Sequence, residues 1–284
     1  MVATFIIPVV VPPPVVPPTT EPKAIFTGIM NGAGLSPYGG GTTIQPWYND
    51  LKALGYPEFG IVSPSAFTAV ELITENAKKV LRAEIIGNDP NDAGRFQGAL
   101  YYNKAQAEYH HSIRMKFGAG VLGAMDYNGA INAKSGNAWF TAFETWIGQS
   151  ESRINLSLNK LAAVGSPLRW ELACEWEEGS STPYQNIWPS QINEFVPIGK
   201  WFTMEVYIKS GQGANGQIKI TITPDGEPAK VIFDVRNTTN ASVGTSYRRK
   251  SDFMKFYIGK SLRAFMLTAG KKMEVFYGDL KIFK

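Results

Sequence analysis

The chain has few of the residues that commonly carry metal or nucleophilic chemistry: of 284 residues, one is cysteine and two are histidine. A lone Cys174 excludes an intrachain disulfide and a multi-cysteine metal site. It sits at an alternating apolar position, where a buried small hydrophobe is expected. His110 and His111 are neighbours, so on a strand they face opposite ways, which excludes a two-histidine metal site within the pair. Charged residues are scarce too, at 18%, below the usual quarter. The net charge is +4 and the longest basic run is Arg248-Arg249-Lys250, which argues against a nucleic-acid partner. No apolar run is long enough for a membrane-spanning helix, because Pro8, Pro12, Pro13 and Pro14 break the apolar start. The same start lacks the basic and unbroken apolar regions of a signal peptide. The expectation is therefore a chain with no membrane partner and no secretion signal.

Aromatics, in contrast, are plentiful, with seven Trp, twelve Tyr and sixteen Phe. They pack well on pleated sheets. Two regions are expected. Residues 1–23 are an extended, proline-rich arm that carries no charge before Glu21. Proline excludes helix and inner strand there and favours polyproline II. So much apolar surface calls for a partner, either another protein or another copy of the chain. Residues 24–284 read as one all-β domain, a two-sheet antiparallel jelly-roll sandwich. Alternating runs are expected at 24–30, 67–74, 79–86, 96–102, 108–117, 138–147, 153–161, 168–176, 200–209, 217–223, 229–235, 262–268 and 272–283. That is more than an immunoglobulin-type domain holds. Residues 44–54 hint at helix. Gly211-Gln212-Gly213-Ala214-Asn215-Gly216 reads as a hairpin loop, and Thr223-Pro224-Asp225-Gly226-Glu227 as a turn.

Three strands have separable faces. Ile154, Leu156 and Leu158 oppose Arg153, Asn155, Ser157 and Asn159. Leu168, Trp170, Leu172, Cys174 and Trp176 oppose Arg169, Glu171 and Glu175. Tyr109, His111, Ile113, Met115 and Phe117 oppose His110, Ser112, Arg114 and Lys116. If such strands are neighbours, they make a polar surface of Arg, His, Glu and Asn. Arg114, Arg169 and Glu171, with Tyr184 and Trp188 in the expected loop 179–189, are the candidate ligand-binding residues for a glycan or polysaccharide.

Several stretches resemble a known family. They are Leu81-Arg82-Ala83-Glu84-Ile85, Asp89-Pro90, Gly94-Arg95-Phe96, Tyr109 through Phe117, and Gly199-Lys200-Trp201. Val275-Phe276-Tyr277-Gly278-Asp279-Leu280 closes the series. In order and spacing, over residues 66–284, they are similar to concanavalin A-like lectin/glucanase domains. More narrowly, they resemble the heparin-lyase-like and glucuronan-lyase-like polysaccharide lyases. The resemblance implies a jelly roll that binds glycans or cleaves uronic-acid polymers by β-elimination; calcium is compatible with the fold class, but no dense Asp/Asn loop marks a site, so no cofactor is assigned. For a lyase, the candidates to neutralise a carboxylate and move protons are Arg82, His110 or His111, Arg114 and Tyr257. The departures are specific. Gly278 stands where an aspartate pair often closes the last strand. The family's Gln-x-His strand is not evident; the nearest stretch is Glu144-Thr145-Trp146-Ile147-Gly148-Gln149. Lys255-Phe256-Tyr257-Ile258-Gly259-Lys260 partly echoes its Tyr/Lys/Gly/Tyr run. Hydrolysis is disfavoured because Glu171 and Glu175 lie four residues apart, with Ala173 between.

The first functional expectation is a structural or interaction protein in a virion or outside the cell. Its arm would dock on a virus or phage particle while the sandwich is displayed to glycans. The alternative is a polysaccharide lyase acting on a uronic-acid polymer.

Overall fold

A computed structural model describes residues 22–38, 41–45, 47–56, 58–62, 67–87, 94–101, 107–127, 139–147, 152–160, 163–176, 185–211, 215–238 and 249–284. Residues 1–21 of the expected arm, and Tyr184, lie outside that set. The elements in order are β1 (Ala24–Gly28), β2 (Gly34–Tyr38), β3 (Gly41–Gln45), α1 (Trp47–Ala53), β4 (Glu58–Val62), β5 (Thr68–Glu75), β6 (Lys78–Ile85) and β7 (Gly94–Tyr101). Then come β8 (Glu108–Phe117), α2 (Gly120–Ala124), β9 (Phe140–Ile147), β10 (Ser152–Asn159), β11 (Arg169–Trp176) and β12 (Gln185–Phe195). The last are β13 (Phe202–Lys209), β14 (Gly216–Pro224), β15 (Lys230–Thr238), β16 (Arg249–Ile258), α3 (Lys260–Thr268) and β17 (Glu274–Phe283).

These strands form the two sheets of a sandwich. One has eight strands, ordered β15-β14-β13-β8-β17-β6-β5, with β1 also on β17. The other has nine, ordered β12-β11-β10-β9-β16-β7-β4-β3-β2. Alternation explains the layering. Ile113, Met115 and Phe117 of β8 face inward with Phe202, Met204 and Val206 of β13; across from them lie Ile154, Leu156 and Leu158 of β10 and Trp170, Leu172 and Cys174 of β11. At the centre Phe117 packs on Phe140, Trp170 and Phe202, with ring centroids 5.6 to 5.9 Å apart. Fully burying one such side chain stabilises by about 1.5–3 kcal/mol.

The turn at 223–227 forms as read: Gly226 has φ +77° and Glu227 N donates to the Pro224 carbonyl at 3.0 Å. The departure at Gly278 has a packing basis, since a Cβ there would meet the Arg114 side chain at 3.3 Å.

Three local expectations are corrected. Residues 262–268 are helical, within α3, where Leu262, Arg263 and Met266 are buried. The run Leu-Arg-Ala-Phe-Met-Leu is built of strong helix formers, and its buried residues repeat at helical spacing. In 44–54 only α1 is helix, and Ile44 belongs to β3. Trp188 lies not in a loop but on β12, opposite Cys174. Pro189 reads as a turn residue, yet β12 is the sheet's edge strand, where a missing N–H breaks no central ladder.

Candidate functional site

The sandwich presents two outward faces. On the eight-stranded sheet, Arg82, His110, Arg114 and Lys116 each meet an acid from another strand or turn of that sheet. Arg82 of β6 donates from Nη1 to Glu71 at 2.6 Å and from Nε to Glu274 at 2.9 Å, and it also contacts Glu84. Arg114 of β8 makes two 2.6 Å bonds to Asp225 and lies 5.0 Å from the Trp201 ring centroid. Lys116 pairs with Glu75 and lies over Phe276. His110 Nε2 and Glu205 Oε1 are 3.0 Å apart, and that hydrogen bond holds the Glu205 carboxyl below its usual range. His111 points the other way, into the core between Phe143 and Phe253. Burial, aided by the nearby His110, lowers its pKa to about 3. Arg82, His110 and Arg114 thus share this face.

Tyr257 does not join them. It lies on β16, in the nine-stranded sheet. Here β7, β16, β9, β10 and β11 are successive neighbours, so register decides which side chains share a row. Tyr257 stands opposite Arg95 on one side and Thr141 on the other. Thr141 is opposite Ser157, and Ser157 opposite Glu171. One polar row therefore crosses five strands. The next row holds Asp252, Glu144 and Asn155, and Arg153 and Glu175 follow. Arg169, two residues from Glu171 on β11, flanks the row on its other side.

Beside the row lies a buried ionic network. Lys255 Nζ contacts Glu144 and lies 3.0 Å from Asp252 Oδ2. Gln97 Nε2 donates to the same Asp252 oxygen at 3.0 Å. Arg153 pairs with the second Glu144 oxygen. Lys255, Glu144 and Asp252 are 0% exposed. Two cations meet two carboxylates, so the network is neutral, yet removing each ion from water opposes folding by several kcal/mol. Arg153 lies over Trp146, 5.0 Å from the ring centroid. Asn155 donates to Glu175, and Asn159 to Glu171, each at 2.9 Å.

Tyr257 is half-buried at the margin of this network. Lys255 Nζ is 5.0 Å and Arg95 Cζ 5.8 Å from its ring centroid, and Trp139 packs edge-on at 4.4 Å. Two cations therefore lie within about 6 Å of the phenol ring centroid. Among the described residues no group of three or more His, Cys, Asp or Glu side chains is arranged to hold a metal ion.

Sequence reasoning named Tyr257, Arg169 and Glu171, which the structure places on this sheet, but gave Arg95, Gln97, Asp252 and Lys255 no site role. The missed signal is β16 itself. Asp252 and Tyr257 lie on the outward face, but a register shift between Asp252 and Met254 interrupts the alternation.

No protein-family profile matches the sequence, and a search of curated proteins finds no significant match. Solved structures do match. The alginate lyase Aly36B superimposes with a TM-score of 0.54 at 13% identity, covering 91% of this chain and 96% of that one. A variant of Aly36B in complex with an alginate tetrasaccharide gives 0.53 at 13% identity, with coverage of 91% and 96%. The marine PL-14 alginate lyase from Aplysia kurodai gives 0.52 at 9% identity, with coverage of 92% and 99%. These matches correct the first functional expectation. These three structures, which match along nine-tenths of the chain, are of alginate lyases, which favours the alternative over a particle-anchored structural protein. None of the described helices is long and apolar enough to cross a membrane. The chain has the two-sheet jelly-roll sandwich of these polysaccharide lyases.

Proposed function

We propose that this protein is a polysaccharide lyase that binds an acidic, uronate-containing polymer on the outward face of its nine-stranded sheet and cleaves it by β-elimination. The observation that carries the reading is Tyr257. It is a half-buried phenol flanked by Lys255 and Arg95, set in a polar row that crosses the sheet.

Elimination breaks the bond between a sugar carbon and the glycosidic oxygen without consuming water. A base removes the proton from the carbon beside the carboxylate, a double bond forms, and an acid returns a proton to the leaving oxygen. Tyr257 is assigned the proton transfers. Arg95, partly exposed beside it, is placed to meet the substrate carboxylate and stabilise the charge that builds there. Lys255 is fully buried, so it acts through its field while Glu144 and Asp252 hold it in position. Ser157 and Glu171 line the row for hydroxyl contacts.

The departure at Glu144-Thr145-Trp146 fits this division of labour. Glu144 would repel a substrate carboxylate if unpaired; here Lys255 and Arg153 occupy both of its oxygens.

The test is a panel of polymannuronate, polyguluronate, glucuronan and polygalacturonate, followed by ultraviolet absorbance of the unsaturated product. A rise with at least one polymer is expected. No rise with any of them, at protein levels that bind the polymer, would sink the proposal.

A further inference from the structure

β12 ends on a ring that the core does not use. Phe195 is 55% exposed, forgoing the roughly 1.5–3 kcal/mol that burial would bring. It stands in register with Arg169 of β11, so both belong to the outward face of the nine-stranded sheet. The Arg169 guanidinium lies over the ring, 4.4 Å from its centroid. Phe195 also lines a cavity of about 730 Å³ in which Lys200 pairs with Glu227 and Lys230 with Glu194. An exposed aromatic backed by a guanidinium suits a sugar that carries a carboxylate. The ring takes the apolar C–H face and the guanidinium takes the anion.

Position sharpens the point. From β16, which bears Tyr257, to β12 there are four strand spacings, about 19 Å at ~4.8 Å each. One sugar cannot touch both ends, whereas a polymer lying along the polar row can. We infer that Arg169 and Phe195 form an outer subsite for a uronate residue of the polymer, several sugars from the bond that Tyr257 acts on. The ligand class rests on the lyase reading; the subsite itself rests on the exposed ring and its register with Arg169.

The experiment uses the full chain as wild type, Phe195→Ala, Phe195→Tyr and Arg169→Gln. Affinity electrophoresis in polyuronate gels reads binding, and steady-state kinetics on polymer and on a trisaccharide read turnover. Phe195→Ala and Arg169→Gln are expected to weaken polymer binding roughly three- to tenfold, the loss of one stacking or charge contact. Phe195→Tyr should retain affinity, kcat should hold, and the trisaccharide, too short to span the row, should be unaffected. Unchanged polymer affinity in both weakening variants would overturn the subsite, as would an equal loss on the trisaccharide. If wild type binds a polyuronate without cleaving it and the variants lose that binding, the subsite stands and the eliminative reading falls. If wild type cleaves and the variants match it on polymer, the subsite falls alone. If wild type neither binds nor cleaves, both fall.

Discussion

The two outward faces use similar residue types in opposite ways. On the eight-stranded sheet, Arg82, Arg114 and Lys116 pair across strands with acids and remain partly in water. On the nine-stranded sheet, Lys255, Glu144 and Asp252 are sealed from water and share their partners. Exposed pairs of the first kind contribute about 0–1 kcal/mol. Buried networks of the second kind oppose folding through desolvation and are sensitive to the loss of any member. A sheet needs no such network for stability, so its presence beside a cation-flanked phenol supports the proposal that this face is the working one.

The largest effect is expected from Lys255→Met. It removes the cation that two buried carboxylates share, and stability should fall by about 3–5 kcal/mol, read as the urea midpoint, with cleavage lost. A loss no greater than that of an exposed pair would erase the contrast between the faces. Next comes Tyr257→Phe, which removes one oxygen at a half-buried position. Turnover should drop about 10²–10⁴-fold with the urea midpoint nearly unchanged.

His110 and His111 repeat the contrast within one strand. His111 is buried and its pKa is lowered from 6.5 to about 3. Between those values the unfolded chain binds a proton that the folded chain does not. Its neutral form therefore supports folding fully above pH 6.5, and that support fades as pH falls toward 3. From pH 6.5 to pH 5 the loss should be about 2 kcal/mol. His111→Phe should flatten this part of the stability–pH curve. The smallest effect is expected from Arg114→Gln, under about 1 kcal/mol and shrinking further in salt, measured by thermal melts at two ionic strengths.

These contrasts also separate what the sequence makes legible from what it hides. The faces of β8, β10 and β11 follow directly from period-two alternation, and the turn at Gly226 from its chemistry. β16 was hidden because the shift beside Asp252 breaks its alternation. β12 was hidden by a proline that only an edge strand tolerates. Sheet partnership was hidden most deeply. Lys255 meets Glu144 across 111 residues, and no local pattern announces such a pair. Arg82, His110 and Arg114 looked as reactive in sequence as Tyr257, and only the assignment of strands to sheets parts them.

The central claim is that cleavage belongs to the nine-stranded face. The direct measurement is the rate of unsaturated-product formation from the best polyuronate, compared among wild type, Tyr257→Phe and Arg114→Gln. The account predicts near-complete loss for Tyr257→Phe and a wild-type rate for Arg114→Gln. A wild-type rate for Tyr257→Phe, or loss confined to Arg114→Gln, would contradict it.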